Sequence, residues 1–171
     1  MPFIGVENRF VCVTRPRCFG KTVNANTIAC FFARGLEAGP LFEGLEVARD
    51  SRAMAHQGTH DVIYLDLSER CGGCGDYIAN LADGVVADLR AAYPEVAPAP
   101  DAGITAALGE VFSQTGRSFV FVMDEWDSMF FNPLFSPEGQ RSYLMFLKQL
   151  LKSKPYVELA YMTGIPPIAK H

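Results

Sequence analysis

No apolar run in the 171 residues approaches the roughly 20 needed to cross a bilayer as a helix. The opening stretch, MPFIGVENRF, lacks the basic segment followed by an apolar one that marks a secretory leader. No internal repeat and no low-complexity segment is visible. Charge of one sign does not predominate: 15 Lys and Arg stand against 19 Asp and Glu, a net charge of -4. Without a basic surplus there is no footprint for sequence-independent contact with nucleic acid, so neither a membrane nor direct nucleic-acid binding is expected of this segment. The five cysteines, Cys12, Cys18, Cys30, Cys71 and Cys74, are odd in number, which does not suit a disulfide framework. With no export signal they read as reduced thiols, and the expected compartment is the cytoplasm.

What is present suits a globular α/β chain. Apolar residues make up 49% and aromatics 12%, and the length fits one domain, taken as 1–171, with a sizeable core. Short apolar, β-branched runs at 9–14, 61–68, 117–127 and 156–164 read as buried strands. Between them lie helical spacings: Lys21 to about Leu36, 76–93 with Gly84 in its middle, 104–115, and 137–152 with Leu144, Leu147, Leu150 and Leu151 facing inward. Residues 41–60 read as loop and short helix, and 70–75 as a turn. Strands alternating with helices predict a layered α/β fold with a mainly parallel sheet, whose ligands bind at the carboxyl ends of the strands.

Three strand ends carry polar chemistry: TRPRCFGKT after the first, MDEWD after the third and MTG at the last. Gly20-Lys21-Thr22 ends as a phosphate-binding loop ends. Such a loop aims successive backbone N–H groups at one anion ahead of a helix N-terminus. Gly20 permits close backbone approach, Lys21 supplies a point charge to the outer phosphates, and the Thr22 hydroxyl suits Mg²⁺. Where the usual loop opens on glycine this one has Arg15, followed by Pro16, which has no N–H. Arg15 and Arg17 add positive charge in compensation. The donors nearest the phosphate are therefore assigned to the stretch Arg17, Cys18, Phe19, Gly20, Lys21, Thr22 and Val23. The apolar run FVFVM ends in Asp124 and Glu125, which suit a Mg²⁺-holding carboxylate and a carboxylate that orients the attacking water. Thr163 is placed to sense the γ-phosphate or that water. A chance Gly-Lys-Thr, an ordinary acidic strand end or a plain strand exit is each common alone; the first two in the right order, each after a buried strand, are not.

Together, FVCVTRPRCFGKTVNANTIACFF, LFEGLEVA, VIYLDLS, VMDEWDS and AYMTGIPPIAK resemble the predicted AAA-ATPase-like family of bacteria. Its loop typically reads Arg-Pro-Arg-Arg-Phe-Gly-Lys-Ser/Thr, so Arg15 in place of glycine is normal there. The resemblance implies an additional-strand, AAA-like, three-layer P-loop fold in which the loop strand lies beside the fourth strand and the acidic strand beyond it. It implies binding of ATP with Mg²⁺ and its hydrolysis, with Lys21, Glu125 and Thr163 as catalytic residues and Thr22 and Asp124 as the metal pair. The alternative is a nucleotide-binding switch, or an inactive fragment acting as an interaction module, that does not turn ATP over. Cys18 and Trp126 depart from the usual arginine and tyrosine. A lead-in, a fifth strand flanking the first, a helical lid and a nuclease-like domain found in other members are not evident, so a core incomplete at both ends is expected, with the first strand as an open sheet edge. A homo-oligomer or a protein partner is left open, with Arg117 or Arg141 as the arginine offered to a neighbouring site.

Other features weigh less. Cys71 and Cys74 have the spacing of half a zinc site but no second pair of ligands, with His56 and His60 loosely near in sequence. Cys18, among basic groups near a helix N-terminus, is either a reactive thiol or an inert loop cysteine. Asp127 either binds at the site or caps the next segment. Phe130, Phe131 and Phe135 form either an exposed patch or core, with core preferred.

Overall fold

The computed structural model describes residues 9–16, 18–68 and 74–165. The elements run β1 (Phe10–Thr14), α1 (Lys21–Phe32), α2 (Gly39–Phe42), a 3₁₀ turn (Glu46–Arg49), α3 (Ser51–Met54), β2 (Asp61–Asp66), α4 (Cys74–Ala92), α5 (Ile104–Thr115), β3 (Phe119–Asp124), a second 3₁₀ turn (Ser128–Phe130), α6 (Pro137–Leu151) and β4 (Val157–Gly164). They divide into two compact units, Met1–Ser68 with Phe119–Ser128 and Val157–His171, and Glu69–Ser118 with Met129–Tyr156.

The first unit is built on a four-stranded sheet of order β1-β4-β3-β2, every pair parallel. The loop strand thus lies beside β4 and the acidic strand beyond it, as the family resemblance implies, and the α/β class holds. Among the described residues β1 is an edge of the sheet. All six residues of β3 are buried, which is why its sequence reads as an unbroken apolar run rather than an alternating one. Val11, Val13, Val120, Val122, Leu159, Tyr161, Val62 and Tyr64 form one face of the sheet and pack with Ala25, Ile28, Ala29 and Phe32 of α1.

α1 ends at Phe32, four residues before the expected Leu36. Ala33 turns extended and bridges His60 in parallel, the Arg34 N–H donates to the His60 carbonyl at 2.8 Å, and Leu36 is left exposed. Beside the far half of α1, Phe31, Phe42 and Ala38 form a small cluster in which Phe31 meets Phe42 edge to face at 5.0 Å. A cavity of about 260 Å³ opens there among Ile28, Phe31, Phe42, Val11, Leu159 and Tyr161, with Asp50, Arg52 and His56 in its wall.

The second unit holds α4, α5 and α6, which contact one another. α4 runs without a break through Gly84. α6 opens with Ser136 as its cap, whose hydroxyl accepts from the Gly139 N–H, and Pro137 at a first-turn position where no N–H is needed. Its buried stripe is Tyr143, Leu147, Leu150 and Leu151, at i, i+4, i+7 and i+8. Leu144 falls roughly 100° around the helix from Tyr143, at the edge of that stripe, and is exposed, contrary to the expected inward position. Phe135 is buried edge to face with Tyr77 as expected of core, whereas Phe131 is exposed. Among the described residues no helix is long and apolar enough to cross a membrane.

Two substitutions check the burial pattern. Phe121, with no exposed surface, should cost about 3–5 kcal/mol on replacement by alanine. Leu144→Ala should stay within about 0.5 kcal/mol. Denaturant titration of both variants reads the difference directly.

Candidate active site

The parallel pairing brings the chemistry-bearing segments to one end of the sheet. Thr14 of β1 stands beside Gly164 of β4, and Met123 of β3 beside Met162, so the loop after β1, the exit of β4 and the acidic turn after β3 are neighbours. The Arg15 N–H donates to the Gly164 carbonyl at 3.1 Å, which ties the start of the loop to β4.

Cys18 (φ 63) and Gly20 (φ 70) are both left-handed. At Gly20 this costs nothing, because there is no Cβ; at Cys18 it is strained by about 1–3 kcal/mol. Left-handed residues at alternate positions curl the backbone into a concavity lined by N–H groups. α1 begins immediately after, with no capping side chain and no acidic residue in its first turn, so its first N–H groups are offered to an incoming anion. Lys21 is buried, and its ammonium donates to the Pro16 carbonyl at 3.3 Å, folded over the loop it is expected to serve. Phe19, Thr22 and Val23 are exposed. Arg17 lies outside the described residues, as do Cys71 and the side chain of Cys74.

Asp124 is 2% exposed at the end of an apolar strand. Its carboxylate accepts from the hydroxyl of Thr163, which is fully buried. The same Thr163 oxygen accepts from the Glu125 N–H at 3.2 Å. Thr163 is therefore engaged on both sides by protein groups. Burial, with the charges of Asp124 and Asp66, pushes the Tyr64 phenol up to about 12. The Tyr161 phenol is also raised, mainly by burial, with Arg15 opposing and Asp124 adding to the shift, so the Arg15 charge lies on this face of the sheet.

Glu125 is left-handed (φ 53), a strained conformation for a residue with a side chain, and half-buried. Bonds on either side enforce it. The Trp126 N–H donates to the Thr163 carbonyl at 3.1 Å, the Ser128 N–H donates to the Glu125 carbonyl at 2.9 Å, and the Ser128 hydroxyl donates to the Leu67 carbonyl at the end of β2. Asp127 is 7% exposed and accepts from the Ile165 N–H at 2.7 Å. Gly164 makes room for this turn: a Cβ there would lie 2.8 Å from Trp126 Nε1 and 3.0 Å from Asp127 Oδ1. The Trp126 indole stands near the Cys12 thiol and opposes the rise of its pKa.

Sequence reasoning missed Tyr64 and the tether of Asp127. Period-two alternation in DVIYLDLS puts Tyr64 on one face with Val62, but only the register with β3, Tyr64 beside Val122, aims it toward Asp124. Arg117 stacks over Tyr93 at 5.8 Å, and Arg141 pairs loosely with Glu138 at 3.8 Å. His56 and His60 face each other at 3.2 Å. Among the described residues no three His, Cys, Asp or Glu side chains cluster as a metal cage. A hydroxyl at Thr22 and a carboxylate at Asp124 are hard oxygen donors; they suit a small cation that keeps water and takes substrate oxygens, and do not suit a closed tetrahedral centre.

Strand order and the strand–loop–helix at Gly20-Lys21-Thr22 define the P-loop class of α/β fold. The chain belongs to the AAA-ATPase-like family, described as "Predicted AAA-ATPase", whose model matches residues 4–171. No curated protein and no solved structure gives a significant match.

Two expectations follow from the turn. Gly164→Ala should destabilise by about 1–3 kcal/mol, because the added methyl meets the indole and the carboxylate, and thermal or denaturant unfolding measures it. The Cys12 thiol is pushed up, first by shielding of its sulfur and also by the charge of Asp127, with the nearby Trp126 indole opposing. Less of it is thiolate at a given pH, so its alkylation by iodoacetamide should rise at higher pH than that of a free cysteine, read by mass spectrometry.

Proposed function

We propose that this site binds ATP with Mg²⁺ and hydrolyses the β–γ phosphate bond. The observation that carries this reading is the hydrogen bond from Arg15 to Gly164, which joins a loop with left-handed Cys18 and Gly20 to the end of β4, whose Thr163 bonds Asp124 and the Glu125 amide. Family membership supports the same reading.

The roles follow from the positions. The N–H groups from Cys18 to Val23 and the dipole of α1 receive the phosphates. Lys21 swings from Pro16 to the outer phosphates, a short move for a flexible stem. Thr22 and Asp124 would hold Mg²⁺, which when bound neutralises charge on the phosphate oxygens. Glu125 orients a water whose oxygen attacks the γ-phosphorus. The bond to the β–γ bridging oxygen breaks, its electron pair leaves with ADP, and the water proton passes to Glu125. Thr163 shares its hydroxyl between Asp124 and the Glu125 amide, so it registers the state of the site through both acids.

Titration calorimetry with Mg²⁺–ATP tests binding: micromolar affinity is expected for the native chain and its loss in Lys21→Ala. A folded native chain that takes up no nucleotide overturns the reading. Single-turnover hydrolysis then separates an ATPase from a nucleotide-holding switch. Glu125→Gln should lower the rate by about 10²-fold or more with affinity retained, and a native chain with no turnover selects the switch.

A further inference from the structure

We propose that Asp127 is the positioning residue that couples the phosphate loop to the Glu125 turn, and that it acts through the single peptide unit between Gly164 and Ile165. This rests on the ATPase reading for its consequence, but its geometry is independent of it.

The two polar groups of that one peptide face two different elements. Its carbonyl, on Gly164, accepts from the Arg15 N–H at 3.1 Å, at the first residue of the phosphate loop. Its N–H, on Ile165, donates to Asp127 Oδ2 at 2.7 Å, three residues past the end of the acidic strand. A peptide is rigid and planar, so rotation that improves one bond spoils the other. Regular pairing of β3 with β4 stops at Met123 beside Met162. Beyond it, the Glu125 amide takes the Thr163 hydroxyl, the Trp126 amide takes the Thr163 carbonyl, and Asp127 takes the Ile165 amide. The third bond continues the ladder with a side chain where the backbone of the turn no longer reaches. It also holds the turn that keeps Glu125 left-handed.

Burial supports the assignment. Asp127 is 7% exposed, with its carboxylate against the place where a Gly164 Cβ would be. Beside the two roles open to it in the sequence, site ligand or local cap, the structure shows a third: its partner lies just past the end of β4, 38 residues away.

The sole tryptophan of the chain, Trp126, lies inside the turn and reports on it. Two variants divide the possibilities. Asp127→Ala removes the acceptor; Asp127→Asn keeps an acceptor oxygen and discards the charge. In Asp127→Ala, amide hydrogen exchange at Ile165 and, through the shared peptide, at Arg15 should quicken by about tenfold or more. Its Trp126 fluorescence should no longer respond to Mg²⁺–ATP, although calorimetric affinity stays within about threefold. Single-turnover hydrolysis should fall by about tenfold or more, a loss in rate rather than in binding. Asp127→Asn should restore all of these to near the native values. Unchanged exchange at Arg15 in Asp127→Ala overturns the coupling. So does an Asp127→Asn variant as impaired as Asp127→Ala, since the charge and not the bond would then matter. Should the native chain bind no nucleotide, the ATPase reading falls, while exchange at Ile165 and Arg15 still decides the coupling.

Discussion

A carboxylate buried at the end of an apolar strand must be met by donors, and the arrangement of this sheet end follows from how Asp124 is met. Five apolar residues carry β3 through the interior, and the sixth is a charge with almost no access to water. An unpaired charge there is costly enough that the fold would avoid it. The hydroxyl of Thr163 comes from the neighbouring strand β4. It can reach the carboxylate only if the parallel register of β3 with β4 is right, so the demand of one side chain helps to fix these two strands relative to one another. That bond leaves part of the carboxylate's acceptor capacity over, and a site that engages a cation needs that capacity.

The strain at the two sides of the site has one logic. Cys18 and Glu125 are both left-handed, one in the phosphate loop and one in the acidic turn. Neither residue type chooses that conformation, so the surrounding bonds impose it. Around Glu125 those bonds are explicit, from Thr163, Ser128 and the carbonyl of Leu67. Departures of the loop from the glycine-rich pattern, at Arg15 and Pro16, do not disturb this logic. Arg15 contributes its amide to Gly164 and its charge to the face bearing Tyr161 and Asp124. Pro16 contributes the carbonyl on which Lys21 rests.

Much of this was legible in the residues, for identifiable reasons. Parallel strands announce themselves as short β-branched runs, and RFVCVT, DVIYLDLS, RSFVFVMD and YVELAYMTG do so, although β1, expected to be buried, lies at an edge of the sheet among the described residues and has no buried residue. Loop and acid lie at strand ends because chain chemistry changes abruptly there. What was not legible depends on contacts between distant positions. The end of α1 is set by the pairing of Ala33 with His60, while the local sequence would allow another turn to Leu36. Leu144 lies roughly 20° around α6 from Leu151 and is as apolar, so helical spacing alone does not tell the exposed residue from the buried one. The tether from Asp127 to Ile165 joins residues 38 apart and leaves no local pattern. Tyr64 likewise has no motif of its own; the register that sets it beside Val122 brings it within range of the Asp124 charge.

The cavity beside the far half of α1 has a mechanical meaning. Most of the sheet face under α1 is close-packed, with Ala25, Val120 and Val122 fully enclosed, and such packing hardly yields to compression. The cavity of about 260 Å³ next to Phe31 and Phe42 is open to solvent and lacks that packing. The stretch of α1 beside it is therefore free to repack its side chains at a smaller cost than the stretch around Ala25, close to the turn that carries Gly20, Lys21 and Thr22.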